Sequence, residues 1–179
     1  MQCQTKELIA NTLSEMVKNQ HFDSITITDL VERCNVSRQT FYYHFSDLTD
    51  VLEFIFNRKV ESIILECTET ADLKTSIRIM LEAGLMHQRF LHIVLESRLR
   101  GKIENTLLDA IKKGLLLGFE SIPSSRPLSK EQIYLMIEFF SYGIMGVLMY
   151  RDIHELEDLD RAASGIYALI RNTISPTSK

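Results

Sequence analysis

Residues 26–45, TITDLVERCNVSRQTFYYHF, allow few local folds. Thr26 with Asp29 three residues later reads as a capping box, with Asp in place of the usual Glu. Leu30 and Val31 are the apolar positions behind it, so the segment forms a helix of only about two turns. Asn35 then stands where a helix end needs a left-handed residue, and Asn is second only to Gly there. Ser37 caps a second short helix, over about residues 38–44. Phe41 and Phe45 lie four apart on one face, so they lock this helix onto its predecessor.

The second helix opens with polar residues. An arginine such as Arg38 can take O6 and N7 of guanine together, and a glutamine such as Gln39 can take N6 and N7 of adenine. Thr40 is short enough for a thymine methyl or a phosphate. Tyr42 and Tyr43 can pack a ring and still reach a phosphate with the hydroxyl, and His44 can donate to one. In front stands a supporting helix over residues 5–19, with Ile9, Thr12, Leu13, Met16 and Val17 on one stripe. The whole is a helix-turn-helix pattern. Charge is the counterweight: residues 1–60 hold six basic and eight acidic side chains, where a nucleic-acid binder usually shows a basic footprint. The positive face must be local, and from Arg33 to Ser46 there are two arginines and no acid.

Beyond this the pattern stays helical. Asp47, with Asp50 at the box position, starts a long helix to about Cys67 that carries Val51, Leu52, Ile55, Phe56, Val60, Ile63 and Ile64. Further helices are expected over Leu73–His87, Phe90–Leu95, Lys102–Ser121, 130–149 (boxed by Ser129 and Gln132) and Leu159–Asn172. SIPSSRPLS at 121–129 and RDIHELED at 151–158 read as the linkers. With 3 Pro and 7 Gly in 179 residues, the expected fold is all-α. Residues 1–46 are expected to form a three-helix DNA-binding domain, and 47–179 a helical bundle for ligand binding and dimerisation.

Helix 130–149 is apolar almost all round, so it is expected to be buried on all sides, by its own core and by a second copy. Gly143 and Gly146 allow close backbone approach. Phe139, Tyr142, Gly143, Gly146 and Met149, with Ile166, Leu169 and Ile170 of the last helix, are the candidates for a four-helix dimer interface. Glu138 and Ser141 inside this stretch argue against a membrane span, because a mid-bilayer carboxylate is costly.

Three scattered cysteines without CxxC argue against a disulfide framework or a zinc site and fit a reducing cytoplasm. No secretory signal is expected. Glu82, His87, His92 and Glu96 invite a metal reading, but the paired ExxH motifs of di-metal bundles are missing. There is no Gly-rich phosphate loop or nucleophile elbow. No catalytic residue, metal or cofactor is therefore expected. A helical adaptor whose helix-turn-helix binds protein is the remaining rival, and salt-dependent binding to duplex DNA separates it.

Residues 6–52 resemble the N-terminal domain of the TetR family of bacterial transcription regulators, through ITITDLVERCNVSRQTFYYHFSDLTDVL and a TxYxxF-like pattern on Thr40, Tyr42 and Phe45. SRQTFYYHF is most similar to a branch that includes the dihydroxyacetone-kinase regulators, and FFSYGIMGVLMY at 139–150 resembles that branch's penultimate helix. The resemblance implies a sequence-specific, ligand-responsive homodimeric repressor on a near-palindromic operator. An activator, or a regulator controlled by a partner protein, is the alternative. It implies base contacts from Arg38, Gln39, Thr40 and Tyr43, and phosphate contacts from Thr26, Thr28, Ser37, Tyr42 and His44. It also implies a pocket for a small hydrophobic effector, for which Leu81, Leu85, Met86, His87, Phe90, Tyr134 and Glu138 are the candidates. Two departures stand out: Asn35 where the family usually has Gly, and Leu48 where it usually has Lys.

Overall fold

A computed structural model describes residues 2–70, 72–119, 128–150 and 156–174. Among these residues the regular elements are helices only: α1 (Gln2–Asn19), a 3-10 turn (Phe22–Ser24), α2 (Ile27–Cys34), α3 (Arg38–His44), α4 (Leu48–Thr70), α5 (Leu73–Met86), α6 (Gln88–Glu96), α7 (Arg100–Phe119), α8 (Lys130–Tyr150) and α9 (Leu156–Ile174). The fold is all-α. It divides into two compact units, Met1–Lys59 with Gln88–Glu104, and Val60–His87 with Asn105–Lys179. The division cuts α4 after Lys59 and α7 after Glu104.

In the first unit α1 packs on α2 and α6, and α2 packs on α3. The core takes Ile9, Leu13, Met16 and Val17 of α1, Leu30 and Val31 of α2, Phe41 of α3, and Val51, Leu52 and Ile55 of α4. Each such side chain stabilises the unit by about 1.5–3 kcal/mol when fully buried. Three phenylalanines tie the helix-turn-helix to α4: Phe41 and Phe45 ring centres lie 6.1 Å apart, and Phe45 and Phe54 5.7 Å. Lys6 of α1 lies over this group, with Nζ 4.4 Å from the Phe54 centroid and 5.3 Å from that of Phe45.

The second unit packs α5 against α9 and α8. Its core includes Leu73, Ile77 and Leu81 of α5, Ile111 and Leu115 of α7, Ile144 of α8, and Leu159 and Ile170 of α9. At Gly118 of α7 a Cβ would lie 2.9 Å from the Leu73 Cα, so glycine is required there for space. Ser141 is wholly buried, and its hydroxyl donates to the Ile137 carbonyl at 2.6 Å. Burial pushes the Cys67 thiol up to about 11.

Within its own chain α8 is covered on one side: 17% of its most apolar stretch is buried. One face meets the core through Ser141 and Ile144, while Leu135, Phe139 and Tyr142 are 59%, 74% and 58% exposed. An all-round apolar pattern records that a helix avoids water, not which chain covers it. By length and composition α8 is also long and apolar enough to cross a membrane. Ile170, one of the expected interface residues, is 0% exposed in the chain's own core. The last helix also starts at Leu156, earlier than the expected Leu159. Most of both expected linkers, residues 121–127 and 151–155, lies outside the described residues.

Candidate nucleic-acid interface

The helix-turn-helix is built by its caps. Thr26 accepts from the Asp29 N–H at 3.1 Å, and the Asp29 carboxylate accepts the Thr26 N–H at 3.0 Å and the Thr26 hydroxyl at 2.7 Å. These bonds hold the Asp29 carboxyl below the ordinary 3.8, the hydroxyl first and the N–H second. Asn35 ends α2 in the left-handed region, at φ 53 and ψ 44. Among the described residues, Asn35 is the one non-glycine with positive φ. Ser37 then caps α3 by accepting from the Thr40 N–H at 3.0 Å.

On that frame α3 splits into two faces. Phe41 is 0% exposed, whereas Tyr42 and Tyr43 are 58% and 68% exposed. Arg38 and Gln39 are exposed, and Thr40 and His44 are half-buried. The Arg38 guanidinium donates to the Thr28 hydroxyl of α2, which steadies it across the turn and leaves further N–H donors. The Tyr42 ring meets Phe41 edge-on at 5.4 Å, and the Tyr43 ring meets His44 at 5.0 Å. Arg38, Gln39, Thr40, Tyr42, Tyr43 and His44 thus share one short helix, with Thr28 joined to it. Thr26 and Ser37 are also exposed. Their hydroxyls already serve the caps, so each must divide its bonding to reach a phosphate.

Side chains with no sequence signal complete the unit. Arg98, in the turn between α6 and α7, pairs with Asp47 at the start of α4. Lys102 pairs with Glu53 and Arg58 with Glu7. Such partners are 49 to 51 residues apart in sequence, and no periodicity links them.

The expected pocket residues differ in exposure. Leu81 is 0% exposed inside the core, while Met86 and Tyr134 are 73% and 65% exposed. Phe90 belongs to the first unit. Leu85 packs against the core, and His87 is half-buried. Glu138 accepts from Lys112 at 3.0 Å and from Tyr134, and these two bonds hold its carboxyl below the usual glutamate range. The interface candidates on α8 and α9 divide as well. Phe139, Tyr142 and Leu169 are exposed, and among the described residues nothing outside the adjoining backbone of α8 lies within 4 Å of a Cβ built on Gly143 or Gly146. Met149 is half-buried, and Ile166 packs against the core. Of the suspected metal ligands, Glu82 pairs with Arg78, while His92 and Glu96 lie 3.2 Å from each other.

A dihydroxyacetone kinase operon activator, DhaS, has the same fold: its solved structure superposes with a TM-score of 0.74 over 95% of this chain and 96% of that one, at 16% identity. In sequence, the dhaKLM operon transcriptional activator DhaS of Lactococcus lactis subsp. lactis (strain IL1403) is 25% identical over 60 residues. That match spans 34% of this chain and about a third, 32%, of the relative's length. Residues 71–150 match a TetR-type family model described as a transcriptional regulator C-terminal region. That stretch, 80 of the 179 residues, is similar to the C-terminal region of TetR-type regulators. As in the sequence reading, the chain's resemblance within TetR regulators is to the DhaS branch. The TetR C-terminal match runs through α5 to α8, and so includes the segment Gln88–Glu104 that packs with the helix-turn-helix.

Proposed function

We propose that this chain is a homodimeric transcription regulator of the TetR family that reads a near-palindromic operator with α3. The observation that carries the reading is the two-faced α3: Phe41 is 0% exposed, and a capped first turn presents Arg38 and Gln39. Arg38, Gln39, Thr40 and Tyr43 are assigned to base edges. Thr26, Thr28, Ser37, Tyr42 and His44 are assigned to phosphates. Residues 1–46 are assigned to DNA and 47–179 to dimerisation and effector response. The chain is not an enzyme in this reading, and it works in the cytoplasm.

The exposed apolar face of α8, Leu135, Phe139 and Tyr142, with Leu169 of α9, is assigned to the second copy. An apolar patch of this kind marks an interaction surface. Glu138, ion-paired with Lys112 midway along α8, supports a protein partner over lipid, where a carboxylate is costly. The sequence reading favours a ligand-responsive repressor. The matched relative is described as an operon activator, and that description favours the second reading, activation. Response to a small hydrophobic effector, or to a partner protein, rests on the family resemblance.

Binding to labelled duplex DNA across a salt series tests this. The expected result is an affinity that falls linearly on logarithmic axes as counterions are released. Absence of duplex binding at low salt contradicts it.

A further inference from the structure

Arg98 places a cation where the helix-turn-helix lacks one. It belongs to the segment Gln88–Glu104, which packs in the first unit. That segment carries Arg89, Arg98, Arg100 and Lys102 against Glu96 and Glu104, and so offsets the acidic excess of residues 1–60. Three of the four cations are committed elsewhere: Arg89 to the Lys18 carbonyl, Arg100 to Glu104, and Lys102 to Glu53. Arg98 pairs with Asp47 yet its side chain stays 69% exposed. Asp47 follows the last residue of α3 by three positions and accepts the Asp50 N–H at 2.9 Å, which caps α4. The opening of α4 itself, Asp47, Leu48, Thr49 and Asp50, holds no cation. Arg98 also shares a groove of about 670 Å³ with Thr26, Leu48 and Thr49, and Thr26 is one of the assigned phosphate contacts.

We propose that Arg98 is a DNA-backbone contact, oriented by Asp47 toward a phosphate flanking the bases that α3 reads. This rests on the DNA-binding function proposed above. A guanidinium has five N–H donors. Asp47 takes one edge, and the exposed outer edge can donate to a phosphate at the same time. The contact is charge-assisted and carries no base preference.

The test compares the full-length chain with R98Q and R98K on one duplex, selected by the wild-type protein from a randomised library. Log affinity is followed against log salt. R98Q is expected to flatten the slope by about 0.9 for each Arg98 engaged. Its base preference and its thermal melt should stay as in the wild type. R98K keeps a cation and is expected to keep the slope. A wild-type slope in R98Q overturns the proposal and leaves DNA binding by α3 standing. Equal weakening of R98Q and R98K at unchanged slope overturns it too, because Arg98 is then only a strut for Asp47. A wild-type chain without salt-dependent duplex binding removes both this contact and the function it rests on.

Discussion

Arg38 holds two assignments at once, a hydrogen bond to Thr28 and an exposed position on α3. If its contact is bidentate, Arg38→Ala costs about 1–3 kcal/mol of discrimination at one base pair. Tyr42→Phe instead weakens all sequences about equally, because a phosphate carries no sequence. Competition binding with single-base variants of a bound duplex separates the two. The caps give a second prediction. Asp29 lies below 3.8 through the Thr26 hydroxyl and N–H, and Asp72 does so through those of Thr75. A lowered folded-state value means the stabilisation is complete above 3.8 and is lost as pH falls through the folded values. Far-UV dichroism should therefore stay flat until pH drops below 3.8, whereas an onset near the histidine range, about 6.5, would contradict this. These caps were legible in sequence, because a capping box and an Asn helix end need only residues three to nine apart. Arg98 was not legible, since its partner Asp47 lies 51 residues away.

At the scale of elements, α7 and α8 make opposite use of glycine. Gly118→Ala drives a Cβ to 2.9 Å from the Leu73 backbone, so something must shift. Overpacking of this kind costs typically about 1–3 kcal/mol, which urea melts will register. At Gly143 an added Cβ meets nothing within 4 Å among the described residues beyond the adjoining backbone of α8, so Gly143→Leu has room in its own chain. It should keep the helical spectrum and separate the protomers, from about twice the 20.7 kDa chain mass to the single mass in sedimentation at micromolar concentration. An unchanged dimer would move the interface off this face of α8. The helices themselves were readable, because the 3.6-residue period and the Ser129–Gln132 box survive without tertiary context. Which face of α8 its own core covers was not readable, since Phe139 and Tyr142 outside and Ile144 inside are all apolar or aromatic. The pocket was unreadable for a related reason. Met86 and Leu81 are both apolar, and only packing puts one outside and the other inside.

For the whole molecule, the expected boundary at residue 46 concerned which residues read DNA. The compact units instead join Gln88–Glu104 to the helix-turn-helix, and α4 and α7 are each shared between the units. No local pattern announces such a return of the chain. If an effector acts, linkage requires reciprocity: saturating DNA must change effector affinity by the same factor, typically about 5–150-fold, by which effector changes DNA affinity. Titration of one in the presence and absence of the other measures it, and DNA with no effect on a genuine effector would make the shared helices struts. The central claim is that two copies of α3 read DNA as a symmetric pair. Selection from randomised duplexes by the wild-type chain tests it most directly. The expected result is a near-palindrome with half-site centres one DNA turn apart, about 34–36 Å. A flat base profile, or one asymmetric half-site held by a monomer, would contradict it.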